Sequence, residues 1–349
     1  MDSDNKIIGG MFGLPDTVEP KAVIETRRWK FLDESNLFLA NGRSGIYILI
    51  DRLEPANVWM PSYLCSTMLE VVDEKKTNLR LYEVNYNLQV SSTEWIDRIQ
   101  TGDIVVLIDY FGFPLDSNTA TLAKKQGAWV LEDACQALLS EHVGQYSDFI
   151  LFSPRKFIGV PDGGIVVSCC DVRFDNIELK PAPMSWWLKV LEAAINRREF
   201  DRYGGQRRWY QLFRETETSA PYGYIAMSDV SKKLLLNCFD YSQIAQQRVE
   251  NYSILLHKLK NIALFCSLPK GTVPLGFPVR HQQRNRVRES LFQKQIYPPV
   301  HWTIDSVVPE GFQESRRLAD NIMTLLCDQR YDKHDMKRMT KIILSELKQ

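Results

Sequence analysis

Between residues 36 and 170 short apolar runs alternate with stretches of helical spacing. Asn36–Ala40 predicts a strand ending at a glycine-containing turn, and Ile46–Leu53 follows with apolar positions three and four apart, as on one face of a helix. The same reading predicts a strand over Asn57–Met60, a helix over Leu64–Glu74 and a strand over Leu79–Val84. A helical stretch over Glu94–Ile99, an apolar strand over Ile104–Asp109 and a helix over Asn118–Gln126 come next. Trp129–Glu132, Phe149–Phe152 and Ile165–Ser168 close the series as buried strands. Strands apolar at nearly every position, separated by helices, predict a largely parallel sheet covered on both faces. Ligands of such sheets sit beyond the carboxyl ends of the strands.

After Cys170 the rhythm changes. Trp186–Ile195 predicts a helix, and residues 197–214 are rich in arginine and aromatics. Ser228 to Leu259 contains neither proline nor glycine and predicts one long helical stretch. Leu268–Ile296 and residues 313–349 mix short strands and helices. At 349 residues the chain exceeds the size of a single core. The expected architecture is an α/β protein with an N-terminal arm (1–20), a large domain with a mostly parallel sheet between helices (21–240) and a small C-terminal α+β domain (241–349).

Composition narrows the picture mainly by exclusion. The 43 basic residues balance 43 acidic ones, which argues against a chain built to hold a phosphate backbone. The seven cysteines form no C-x-x-C pair, so reduced thiols in a cytoplasmic protein are the simplest reading, without disulfide framework or metal cluster. The five histidines show no metal spacing. No apolar run approaches the roughly 18 residues of a membrane span. The arginines from Arg197 to Arg214 read as a solvated face, as a site for the diphosphate and base of a sugar nucleotide or, against the neutral overall charge, as a nucleic-acid surface.

The chemistry concentrates in Val130–Gln136, followed by Ser153-Pro-Arg-Lys156 and Asp162-Gly-Gly164. Asp133 ends an apolar strand, where a carboxylate is costly unless a positive group meets it. A pyridinium nitrogen is a suitable partner, because the carboxylate keeps it protonated and the ring becomes a better electron sink. Lys156 follows the next strand closely enough to reach the same crevice, and a water-poor pocket there predicts a lowered lysine pKa. Ser153 and the glycines beyond Lys156 are candidate phosphate holders. Taken singly, Asp133 reads better as a turn cap and Lys156 as a solvated loop lysine; together, in this order at successive strand ends, they reverse that preference. Asn41-Gly-Arg-Ser-Gly-Ile46 forms a strand, glycine turn and helix N-terminus, an arrangement that presents backbone N–H groups to phosphate.

Gly42-Arg43-Ser44, Pro61-Ser-Tyr63, Asp109-Tyr-Phe-Gly112, Glu132-Asp133-x-x-Gln136, Ser153-x-x-Lys156 and Asp162-Gly-Gly164, in that order, resemble the DegT/StrS group of fold-type-I pyridoxal-phosphate enzymes. Those are chiefly aminotransferases acting on keto sugars attached to nucleotides. The resemblance runs from about residue 7 to 349 and includes Met227–Lys232, Arg248-x-x-Asn-Tyr252, Ile296–Trp302 and Cys327–Tyr331. It implies pyridoxal 5'-phosphate bound covalently by Lys156, with Asp133 at the ring nitrogen and Gln136 near the phenolic oxygen. Gly42, Arg43, Ser44 and Ser153 would hold the phosphate, and Tyr63 or Cys65 would cover the ring face. Tyr297 and His301 would approach the sugar. The implied reaction moves an amino group from an amino acid, glutamate being the expectation, to a nucleotide-linked keto sugar in polysaccharide or amino-sugar synthesis. A homodimer is the implied assembly, with no membrane or nucleic-acid partner.

Three positions depart from the family pattern. The serine–lysine stretch is about two residues short, Cys65 stands at a usually aromatic position, and Tyr224–Met227 replaces residues that reach a neighbouring subunit. The alternatives are a pyridoxal-phosphate enzyme with a non-sugar substrate, a relative that holds cofactor poorly, or a nucleotide-binding α/β module.

Overall fold

The computed structural model describes residues 6–17 and 29–347. Part of the expected arm therefore lies outside the described residues. Seven strands form the main sheet: β1 (Leu37–Leu39), β2 (Asn57–Pro61), β3 (Asn78–Tyr82), β4 (Ile104–Ile108), β5 (Trp129–Asp133), β6 (Phe149–Phe152) and β7 (Gly164–Ser168). Their spatial order is β1-β7-β6-β5-β4-β2-β3. β2, β3, β4, β5 and β6 pair in parallel, and β7 runs antiparallel to both its neighbours. Every residue of β2, β4 and β6 is buried, as a sheet covered on both faces requires. β3 closes one edge with its first three residues exposed.

Helices α1 (Gly42–Leu53), α2 (Thr67–Glu74) and α3 (Ser117–Lys125) connect the strands. The helix expected from Leu64 thus begins at Thr67, and the stretch expected over Glu94–Ile99 is a short 3₁₀ turn. Asn41 caps α1, its side chain accepting from Ser44 N at 3.2 Å. α1 lies flush on the sheet because two glycines leave room for it. A Cβ on Gly45 would stand 2.6 Å from Leu151, and one on Gly164 would stand 2.3 Å from the Asn41 carbonyl.

Beyond the sheet, α4 (Met184–Tyr203) and α5 (Arg208–Thr218) form a helical hairpin. The long helix expected from Ser228 to Leu259 is two helices, α6 (Asp229–Asn237) and α7 (Tyr241–Leu259). Asp240 takes an extended backbone between them and accepts from Gln243 N at 2.8 Å, starting a new helix where the pattern alone predicts continuation. The chain then forms α8 (Arg284–Gln293), α9 (Gln313–Asn321), α10 (Lys333–Glu346) and a separate antiparallel pair, β8 (Phe277–Arg280) with β9 (Ile322–Leu325). Residues 6–17 run back between these parts: Ile8 bridges to Ile296, and Leu14 N donates to the Ala194 carbonyl. Among the described residues no helix is long and apolar enough to cross a membrane.

Candidate active site

The carboxyl ends of β2, β4, β5 and β6 lie along one side of the sheet, and the predicted chemistry gathers there. Asp133 is the last residue of β5, buried, with Oδ1 accepting from Cys135 N at 3.0 Å. β6 ends at Phe152, and a 3₁₀ turn over Pro154–Lys156 carries the chain to Lys156. Phe157 pins that turn: its ring is fully buried, and its carbonyl accepts from Gln329 Nε2 at 2.6 Å and Arg248 Nη2 at 3.3 Å.

Lys156 is accessible on one side of the cleft and surrounded by protein on the others. Desolvation works against its ammonium, but Cys135, Asp133 and Cys65 face it, and the net displacement of its pKa is upward. The lowered lysine pKa expected from the sequence is therefore corrected: Cys135, Asp133 and Cys65 together outweigh the loss of solvent. The Cys135 thiol is pushed well up by burial and by Asp133, so it stands beside Lys156 as a neutral group.

The expected phosphate holders divide. Gly42 and Arg43 open α1 beside Cys135, and Ser44 is fully buried with an unpartnered hydroxyl. Arg43 turns outward, pairing with Glu70 at 2.9 Å, while Nη2 donates to the carbonyls of Glu217 and Ala220. Ser153 is buried at the start of the Lys156 turn, where its carbonyl accepts from Lys156 N. The glycines beyond Lys156 serve packing instead: Gly163 N donates to the Ala40 carbonyl, and Gly164 gives space to Asn41. Asp162 accepts from Ser228 N, Ser228 Oγ and Ser231 Oγ, fastening this loop to the start of α6.

Tyr63 is completely buried, its hydroxyl donating to the His301 carbonyl and its ring lying 5.7 Å from that of Trp302. Cys65 is the more accessible of the two expected ring-covering residues. Gln136 is buried too: Oε1 accepts from Phe111 N at 2.6 Å, whereas Nε2 has no partner and remains a free donor. His301 joins the group through Nδ1, 2.9 Å from Thr324 Oγ1. Burial, reinforced by Lys156, lowers its pKa to about 3, so the ring is neutral. Tyr297 keeps different company, stacked on Phe292 with the Arg207 guanidinium 4.7 Å from its ring centre.

Two features escaped the sequence reading. Arg155, one residue before Lys156, pairs with Glu217 at 2.7 Å. Its neighbour in sequence is the obvious lysine, and its partner lies 62 residues away, so only its charge could have drawn attention. Behind the cleft, Asp109 and Glu132 form a buried hydrogen-bonded acid pair, with His142 Nε2 3.6 Å from Asp109 Oδ1. The arginine-rich stretch proves largely self-neutralised: Arg197 pairs with Asp201, Arg198 with Glu199, Arg202 with Asp16 and Arg208 with Glu192.

A carboxylate at a strand end, an accessible lysine near it and a helix N-terminus are thus gathered at one side of the sheet. The model of the DegT/DnrJ/EryC1/StrS aminotransferase family matches residues 83–307. The chain belongs to this family. Its fold is also that of solved family structures. DesV of S. venezuelae, solved with a ketimine intermediate, is 14% identical, with 90% of this chain and 85% of DesV covered at a TM-score of 0.67. The PLP form of Spr1654 from Streptococcus pneumoniae, named as a sugar aminotransferase, is 12% identical over 96% and 98% of the two chains, TM-score 0.68. DesI with its TDP-sugar product is 15% identical over 88% and 79%, TM-score 0.63. At these identities the likeness shows a shared fold. No curated protein sequence matches the chain. The DegT/DnrJ/EryC1/StrS chain thus has the mostly parallel sheet and small antiparallel pair of fold-type-I aminotransferases.

Proposed function

We propose that this family member is a pyridoxal-phosphate-dependent aminotransferase that moves an amino group from an amino acid, glutamate in the first instance, to a nucleotide-linked keto sugar. The observation that carries the reading is Lys156, in the turn after β6, beside Asp133 at the end of the adjacent parallel strand β5, in a chain of this family. The residues present suit the cofactor: Gln136 Nε2 is a buried donor without a partner, Ser44 Oγ is a buried hydroxyl without one, and α1 opens its N-terminus beside them. When bound, pyridoxal phosphate supplies an aldehyde that accepts the amino group and a ring that delocalises the electron pair left when a proton departs.

The chain's own groups then have distinct tasks. Asp133, acceptor-only at the strand end, holds a proton on a ring nitrogen. Lys156 Nζ binds the cofactor and carries a proton to and from the reacting carbon. The first backbone N–H groups of α1, together with Ser44 and Ser153, orient the phosphate. Cys65 borders one side of the cleft, and Tyr63 supports it from beneath. Neutral His301 has Nε2 left for a sugar hydroxyl, because Nδ1 already meets Thr324. DesI, with its bound TDP-sugar product, supports the nucleotide-linked class of acceptor. A homodimeric, cytoplasmic enzyme in polysaccharide or amino-sugar synthesis follows as part of the same proposal.

The test is an absorbance titration with pyridoxal phosphate on wild type and Lys156→Ala. A visible band that forms only with Lys156 and bleaches with glutamate supports cofactor, lysine and donor together. Absence of the band in wild type would overturn the assignment and favour the relative that holds cofactor poorly, for which the engagement of Arg43 by Glu70 is the observation.

A further inference from the structure

The segment after α5 folds back over the N-terminus of α1. Asn41 Nδ2 donates to the Pro221 carbonyl at 2.6 Å, Arg43 Nη2 reaches the Ala220 carbonyl at 3.3 Å, and Ala40 N donates to the Ile225 carbonyl at 3.0 Å. These bonds bring Glu217, near the end of α5, to the mouth of the cradle formed by α1 and the Lys156 turn. Its Oε1 accepts from Arg155 Nη1 at 2.7 Å. Burial alone would push the Glu217 carboxyl up; Arg155, Arg43 and Lys156 together bring it below its ordinary value. It is therefore an anion held among three cations.

The two arginines are not equivalent. Arg43 has an ion pair to Glu70 and contacts to two carbonyls. Arg155 has the single bond to Glu217, and its Nε is buried with no partner at all. It stands one residue before Lys156 and shares Glu217 with Arg43 of α1, whose next residue, Ser44, is fully buried with an unpartnered hydroxyl. A guanidinium with an unpartnered Nε–H and one carboxylate bond is arranged to take a second anion or exchange the first, since its fork donates two parallel bonds to phosphate.

We propose that Arg155 is a phosphate-binding residue of this protein and that Glu217 is a built-in anion occupying it until a phosphate-bearing ligand displaces it. The inference rests on the cofactor reading above and goes beyond it: the shortened serine–lysine segment places an arginine where it meets the phosphate within its own chain. Glu217 sets the affinity by competition, so the cofactor binds more weakly than the cations alone would allow.

The experiment measures affinities of the cofactor-free full chain for pyridoxal phosphate and for pyridoxal, which lacks the phosphate, by fluorescence titration. Wild type, Arg155→Met and Glu217→Gln are compared, with thermal melts as the check on folding. Arg155→Met is expected to weaken pyridoxal phosphate about tenfold or more, and Glu217→Gln to tighten it about threefold or more, with pyridoxal unchanged in both. The opposite signs separate the proposal from structural damage, which would weaken every ligand. If Glu217→Gln weakens pyridoxal phosphate as Arg155→Met does, Glu217 merely positions Arg155 and displacement is overturned. If neither substitution moves the ratio of the two affinities, the assignment of Arg155 falls while the cofactor reading stands. A wild type that does not distinguish the two ligands rejects the phosphate cradle and the inference with it.

Discussion

On β5 two carboxylates follow one another, and the pleat of the strand sends them to opposite faces of the sheet. Asp133 faces Lys156 and the cleft. Glu132 faces inward, where Oε2 accepts from Gly144 N at 2.8 Å and Ser147 Oγ at 2.5 Å. Its other partner is Asp109, whose Oδ2 has no donor unless Glu132 carries a proton. Burial raises both acids, Asp109 to about 7 against the pull of its hydrogen bond with Glu132, and Glu132, with the charge of Asp109 added, to about 9. Two adjacent acids thus meet opposite fates. One faces a cation at the cleft; the other is kept protonated by burial and becomes a hydrogen-bond donor to Asp109, just beyond β4. Position at a strand end is therefore insufficient to mark a functional carboxylate; what it faces decides.

The largest effect expected from breaking this contrast is on catalysis. Lys156→Ala should abolish the glutamate half-reaction, and Asp133→Asn should slow it by about 10²–10⁴-fold with the fold intact. Glu132→Gln should leave that rate within a small factor of wild type. Stopped-flow absorbance of the three variants with glutamate checks the order. Equal losses in Asp133→Asn and Glu132→Gln would erase the distinction between the two faces.

Next in size is the structural role. Glu132→Ala strands Gly144 N, Ser147 Oγ and Asp109 together, and should cost about 1–3 kcal/mol in urea unfolding. Glu132→Gln, which can still donate to Asp109, should cost markedly less.

The pH dependence sharpens the comparison further. An acid whose folded pKa is raised binds its proton more tightly in the native state. Its stabilising contribution is complete below the ordinary values of 3.8 and 4.5 and is lost as pH rises toward about 7 and about 9. Wild type should therefore lose stability between pH 5 and 9 by at most about 1.4 kcal/mol per pH unit for each proton released. Glu132→Gln should flatten that slope, as read from melting temperatures across the range. A slope identical in the two proteins would show that the pair does not share a proton.

The smallest effect belongs to His142, whose pKa burial lowers. A base held neutral in the fold stabilises above its unfolded pKa and loses that contribution as pH falls through it, so His142→Phe should soften the acid side by less than about 1 kcal/mol. Denaturant midpoints at pH 5 and 7 measure it.

Much of this protein follows from local order along the chain. The apolar runs of β4, β5 and β6 end where polar residues begin, and so the sequence alone determined the mostly parallel sheet and set Asp133 and Lys156 on the side where its strands end. Asn41 and the glycines after it likewise determined the start of α1, because a cap and the helix it begins are contiguous. The tertiary structure decided everything that depends on which groups meet across long separations. It turned Lys156's pKa upward by setting Cys135, Asp133 and Cys65 against it, paired Arg155 with Glu217, and joined Asp109 to Glu132 behind the cleft. It also broke the expected long helix at Asp240, where a side-chain cap outweighs an uninterrupted helical pattern. Periodicity and strand ends are properties of neighbours in sequence; ionisation and partnership are properties of neighbours in space, and only folding determines those.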